Sequence, residues 1–174
     1  DEFPRLLETG VYQKVSPSKA CLSNAMNVGH PSNLARFFDL YGGTVDRSGV
    51  VHRQPDVEQM RQHIFSVAIS DRETKKTIKR IYDQHKVLLE PHGAVGWRGL
   101  EVYLELYGDV PLCICLETAH PAKFPKEIQE LLGINPELPQ SMKDLDGRTG
   151  RPAHLAADYE KFKAYLLRHL KGTG

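Results

Sequence analysis

The sequence predicts an α/β fold, a three-layer domain with a parallel sheet between helices. Three observations predict it. Apolar runs of strand length alternate three times with helical patterns between residues 64 and 132. Cap and stop residues bound each of those helices. The balance of 40% apolar and 26% charged residues is that of a globular chain. With 174 residues, one domain over positions 1–174 is expected.

The first twenty residues read as irregular and polar, with Pro4, Gly10 and Pro17. A helix is predicted over Asn33–Tyr41, with Leu34, Phe37, Phe38 and Tyr41 at helical spacing and Ser32 as its cap. A second covers Asp56–Gln62. Ile64–Ile69 reads as a strand, and Ser70-Asp-Arg-Glu73 is a capping box that opens a helix to Gln84. Lys86–Glu90 is a short strand. Pro91–Gly93 is a turn, and Ala94–Tyr107 a helix stopped by Gly108. Pro111–Glu117 reads as a buried strand. Pro125 starts a helix to Leu132, stopped by Gly133. A polar stretch follows over 135–153, and Tyr159–Leu170 is a terminal helix with Phe162, Tyr165, Leu166 and Leu170 on one side.

The net charge of +1 supplies no field for nucleic acid or an anionic membrane, so neither is an expected partner. The longest apolar run, Val110–Leu116, contains a proline and is too short to span a bilayer. Three cysteines make no disulfide framework. Cys113 and Cys115 would share one strand face as small hydrophobes of a cytoplasmic protein. The chain opens Asp1-Glu2-Phe3-Pro4 rather than with Met, so a piece of a longer protein is expected.

Ligands of parallel sheets sit at the carboxyl ends of the strands. That singles out two loops, Glu90-Pro-His-Gly93 and Glu117-Thr-Ala-His-Pro-Ala-Lys123. Glu90, His92, Glu117 and His120 are ligand types zinc accepts, but no local pattern such as HExxH supports a metal, and none is expected. Gly93-Ala-Val-Gly-Trp-Arg-Gly99 is not a dinucleotide fingerprint. Its glycines fall inside a helix, where close packing explains them better. An anionic ligand is the third possibility, because both loops precede helix N-termini and Lys123 adds a charge.

Four segments resemble threonine synthase of the longer bacterial and fungal type, in its C-terminal part. They are Leu22-Ser-Asn-Ala-Met-Asn-Val28 with Pro31-Ser-Asn33, Glu90-Pro-His-Gly-Ala-Val95, the unbroken Thr118-Ala-His-Pro-Ala-Lys-Phe124, and the opening Asp1–Gly10. The resemblance implies a fold type II scaffold like that of the tryptophan synthase β chain, and pyridoxal 5'-phosphate as cofactor. It implies conversion of O-phosphohomoserine and water to threonine and phosphate. It places the chain in the C-terminal portion of the large cofactor-binding domain. It also implies that Thr118 meets the pyridine nitrogen of the cofactor, with Glu90 and His92 beside the ring. His120 and Lys123 are implied near the substrate, with Asn24, Ser32 and Asn33 as further substrate-side candidates.

The family's Schiff-base lysine lies in a Ser-Phe-Lys-Asp-like segment of the N-terminal half. Ser141-Met-Lys-Asp144 resembles it only superficially, and the phosphate-holding glycine-rich loop has no counterpart. The chain alone is therefore expected to be inactive. Asn27, where the family usually has Asp, and His30 are departures from its pattern. A non-catalytic interaction or regulatory module, and a small metal-dependent hydrolase, are the alternatives. Oligomeric state is left open.

Overall fold

The computed structural model describes residues 2–24, 27–108, 110–143, 145, 149–150 and 152–170. Ala25, Met26, Asp144 and the side chain of Leu170, all part of the sequence reading, lie outside the described residues. The chain divides into two compact units, residues 1–137 and 138–174.

In the first unit the order is α1 (Glu2–Thr9), α2 (Leu34–Leu40), β1 (Thr44–Val45), β2 (Val51–Arg53), α3 (Val57–His63), α4 (Asp71–His85), α5 (Pro91–Tyr107), a 3-10 turn (Pro121–Lys123) and α6 (Pro125–Leu132). The second contains α7 (Gln140–Lys143), a turn within the expected polar stretch, and α8 (Tyr159–Leu170) at the expected place. Phe162 and Leu166 of α8 are exposed.

Two apolar clusters hold the first unit. One gathers Leu6, Leu7, Tyr12, Leu34, Phe38, Tyr41 and Met60 from α1, α2, α3 and the segments between them. The other gathers Ile78, Ile81, Leu89, Ala94 and Ile128, joining α4, α5 and α6. Burying such side chains removes about 1.5–3 kcal/mol of apolar exposure each. The capping box of α4 is formed. Ser70 Oγ accepts the Glu73 amide at 3.3 Å, and a Glu73 carboxylate oxygen accepts the Ser70 amide at 3.0 Å. Arg80 Nη2 donates to both Glu101 oxygens at 2.6 and 2.7 Å, which ties α4 to α5.

Several expectations are corrected. The first twenty residues are not wholly irregular: Glu2–Thr9 is a helix, because Leu6 and Leu7 find a buried site against α3. The antiparallel pair β1–β2 was not foreseen. Its strands are only two and three residues long, and its turn is built by Asp46. The Asp46 carboxylate accepts the Ser48 and Val50 amides at 2.9 and 3.0 Å, and Gly49 takes φ +85°. Ser32 does not cap α2; Asn33 holds the cap position without a side-chain bond. The turn expected over Pro91–Gly93 is instead the first turn of α5.

The largest correction concerns the sheet. The three predicted strands, over 64–69, 86–90 and 111–117, join no ladder among the described residues, so the three-layer stack with a parallel sheet is not formed there. An apolar run fixes a local preference for extended chain. A ladder also needs a neighbour about 4.8 Å away, which the run does not encode. Exposure still alternates along 112–116 as it does on a strand. Cys113 and Cys115 are half-buried, while Leu112, Ile114 and Leu116 are 77, 76 and 74% exposed. The segment is therefore covered on one side only, not buried as expected.

Candidate functional site

The two loops singled out in the sequence meet. Glu90 is the N-cap of α5, and its side chain is fully buried. Its carboxylate accepts the Gly93 amide at 2.8 Å and the His92 amide at 2.9 Å, and His92 Nδ1 lies 2.6 Å away. The first amides of α5 are thus satisfied by the chain itself. At this helix end the amides that an anionic ligand would use are taken by the Glu90 side chain.

The second loop approaches from residue 117. Glu117 Oε1 accepts the Glu90 amide at 3.0 Å. Burial, together with the nearby Glu90 charge, pushes the Glu117 carboxyl above the usual carboxylate range; the Glu90 amide and His92 oppose the shift. Burial likewise pushes the Cys115 thiol up, with Glu117 adding to it. The His92 ring packs on Phe124, centroids 5.4 Å apart, and Phe124 is only 4% exposed. One loop is thus held to the other by Glu117 at its start and by Phe124 at its end.

Between those anchors lie Thr118 and the 3-10 turn. His120 Nδ1 accepts the Ala122 amide at 3.1 Å, so this ring nitrogen carries no proton and Nε2 is left as the donor. Thr118, His120 and Lys123 are all exposed. His120 therefore shapes its own loop and still offers one N–H outward.

The structure holds the loop carrying Thr118, His120 and Lys123 against Glu90 and His92 by its two ends, Glu117 and Phe124. It does not bring the N-terminal candidates to them. Asn24, Ser32 and Asn33 are exposed, and among the described residues no hydrogen bond joins any of them to either loop. Their neighbours Cys21, Ser23 and Asn27 instead line a groove of about 500 Å³ against residues 66–71. No cluster of three metal-ligating side chains occurs among the described residues. Glu117 was read in the sequence only as one of four metal-type ligands. Its position immediately before Thr118 was the signal for a structural tie.

The family model for the C-terminal region of threonine synthase matches residues 94–166. A threonine synthase of Haemophilus influenzae is 31% identical over 168 residues, covering 97% of this chain and 35% of that protein. Among solved structures, yeast threonine synthase matches with a TM-score of 0.76 and 25% identity, over 99% of this chain and 41% of that one. The PLP-bound threonine synthase of Brucella melitensis matches with a TM-score of 0.75 and 25% identity, over 97% and 38%. This chain therefore spans little more than a third of the length of the relatives it matches. The fold type II expectation holds, since these neighbours are enzymes of that scaffold. In sequence and in fold, the chain matches the C-terminal part of threonine synthase.

Proposed function

We propose that this chain contributes one wall of a pyridoxal 5'-phosphate site in a threonine synthase, whose reaction turns O-phosphohomoserine and water into threonine and phosphate. The observation that carries the reading is the unbroken Thr118–Phe124 loop, anchored at both ends and presenting Thr118, His120 Nε2 and Lys123 outward. The donor set fits the ligands. A threonine hydroxyl can donate to an unprotonated pyridine nitrogen, and an imidazole N–H with an ammonium suits a phosphate dianion.

In this reading the cofactor, when bound, supplies the electron sink for the carbanion chemistry. Thr118 orients the ring and leaves its nitrogen unprotonated, which moderates that sink. Glu90 and His92 shape the floor beside it, while His120 and Lys123 hold the substrate phosphate. Asn24, Ser32 and Asn33 are weaker candidates for the substrate side, carried by the resemblance of their segment. The whole of 1–174 is read as the C-terminal portion of the large cofactor-binding domain of a cytoplasmic enzyme. The chain by itself is inactive in this reading, because its one superficial likeness to the Schiff-base lysine segment, Ser141-Met-Lys-Asp144, lies in the wrong place and the phosphate-holding glycine-rich loop has no counterpart.

The test compares the 174-residue chain with the protein in its full natural length. Each is given pyridoxal phosphate and O-phosphohomoserine, and phosphate release is followed. Release by the full-length protein, reduced by Thr118→Val, is expected. Turnover by the 174-residue chain alone, or none by the full-length protein, refutes the reading.

A further inference from the structure

We propose that Glu117 is a positioning residue of this site: its side chain pins the Thr118 loop to the start of α5, and Gly93 is bare in order to admit it. The inference rests on the function proposed above for what the pinned loop does, but its geometry stands independently.

Three observations carry it. First, Glu90 has no exposed surface, so its backbone N–H needs an acceptor inside the protein. The Glu90 side chain is already committed to the amides of His92 and Gly93. Glu117 Oε1 is the group that takes the Glu90 amide, at 3.0 Å and across 27 residues of sequence. Second, Gly93 lies against the same carboxyl. A Cβ there would fall 2.5 Å from Cδ and 2.6 Å from Oε1 of Glu117, and closer still to Oε2. Cβ atoms essentially never sit so close, so a side chain at 93 shifts the flexible end of Glu117 and with it the bond to the Glu90 amide. The helical φ of this position does not call for glycine; the carboxyl beside it does. Third, Glu117 is bonded directly to Thr118. Fixing its carboxyl therefore fixes the point from which the exposed Thr118 hydroxyl departs. The charged and titratable groups facing Glu117 are Glu90, His92 and Cys115.

The position of Glu117 makes it act through Thr118, not on a ligand. A misplacement of about 1 Å of a reacting or orienting group costs on the order of 10²-fold in rate. Gly93→Ala is thus expected to lower kcat far more than it changes KM, and to shift the absorbance spectrum of the bound cofactor. Glu117→Ala loses part of the turnover, and Glu117→Gln, whose carbonyl still accepts the Glu90 amide, restores most of that loss.

The deciding experiment is a double-mutant cycle in the full-length protein with Gly93→Ala, Glu117→Ala and the pair. It is read both as turnover and as thermal midpoint. Removing the carboxyl makes room for the new methyl, so the pair is expected to resemble Glu117→Ala alone. A second readout needs neither cofactor nor turnover. In protein labelled with 15N-glutamate, the Glu90 amide proton shift should move with pH as Glu117 titrates, and that component of the response should vanish in Glu117→Gln. Effects that simply add in the cycle, or a Glu90 amide insensitive to Glu117, overturn the proposal. If wild-type protein lacks turnover while the midpoint cycle and the amide titration behave as expected, the functional reading fails and the tie stands.

Discussion

Replacing Glu90 by alanine should unfold the start of α5 at a cost that the structure allows to be worked out. The carboxylate serves two backbone amides and an imidazole nitrogen from a position with no exposed surface. Loss of an N-cap acceptor costs about 1–2 kcal/mol. A second buried donor left without a partner adds about 1–3 kcal/mol, and the two together come to about 2–5 kcal/mol. Pro91, Gly93 and Ala94 are also buried, so water reaches the vacated space poorly. A domain stable by about 5–15 kcal/mol loses a large part of its margin at that cost. The assay is urea unfolding of the full-length protein, with the midpoint and slope compared with wild type. Glu90→Gln should fall between the two, because its carbonyl keeps one amide while its NH2 faces the other donor. A loss below about 1 kcal/mol for Glu90→Ala would show that the buried carboxylate is not what holds the first turn.

The other expectations are simpler. Ser70→Ala removes the Oγ that caps α4 and should cost about 1 kcal/mol, seen as a lower urea midpoint with an unchanged slope. Ile128→Ala empties a fully buried site against Ile78 and Ile81 and should cost about 2–5 kcal/mol, whereas Glu130→Ala on the same helix should stay within about 0.5 kcal/mol. The raised Glu117 carboxyl gives a pH effect of definite sign. The folded protein holds this proton to higher pH than the unfolded chain does, so stability from this group is present at low pH and declines as pH rises above the ordinary glutamate value of 4.5. Unfolding midpoints measured across that range should decline less steeply in Glu117→Gln; an unchanged slope would contradict the assignment.

Helices with local signals were legible from the sequence. The α4 box lies within Ser70–Glu73, and the stop of α6 is Gly133 at φ +70°. Helix α1 was not legible, because Pro4 and Gly10 suggested loop and its stability comes from Leu6 and Leu7 meeting α3. Strand pairing was not legible for the same kind of reason. Val110–Leu116 announces extended chain, and nothing inside it names a neighbour. In the site, the residue types of both loops could be read directly. The Glu90 cap was read as the last residue of a strand, because Glu is not among the favoured N-cap residues. The meeting of Glu117 with Gly93 depends on side chains far apart in the sequence, and only three dimensions reveal it.

The glycines of α5 behave as marks on a ruler. Gly93 faces Glu117, Gly96 faces the Cys115 sulfur at 3.2 Å from a would-be Cβ, and Gly99 faces Val67 at 3.7 Å. The rising helix therefore offers notches against which the 111–117 segment is measured. From that segment, Cys115 faces the notch at Gly96 and the end of Glu117 the notch at Gly93. Sliding the segment by one residue would turn Ile114 and Leu116 toward glycines that leave no room for them, and would turn the cysteines to solvent. The spacing of those glycines thus fixes where residue 117 ends, and with it the height at which Thr118 emerges.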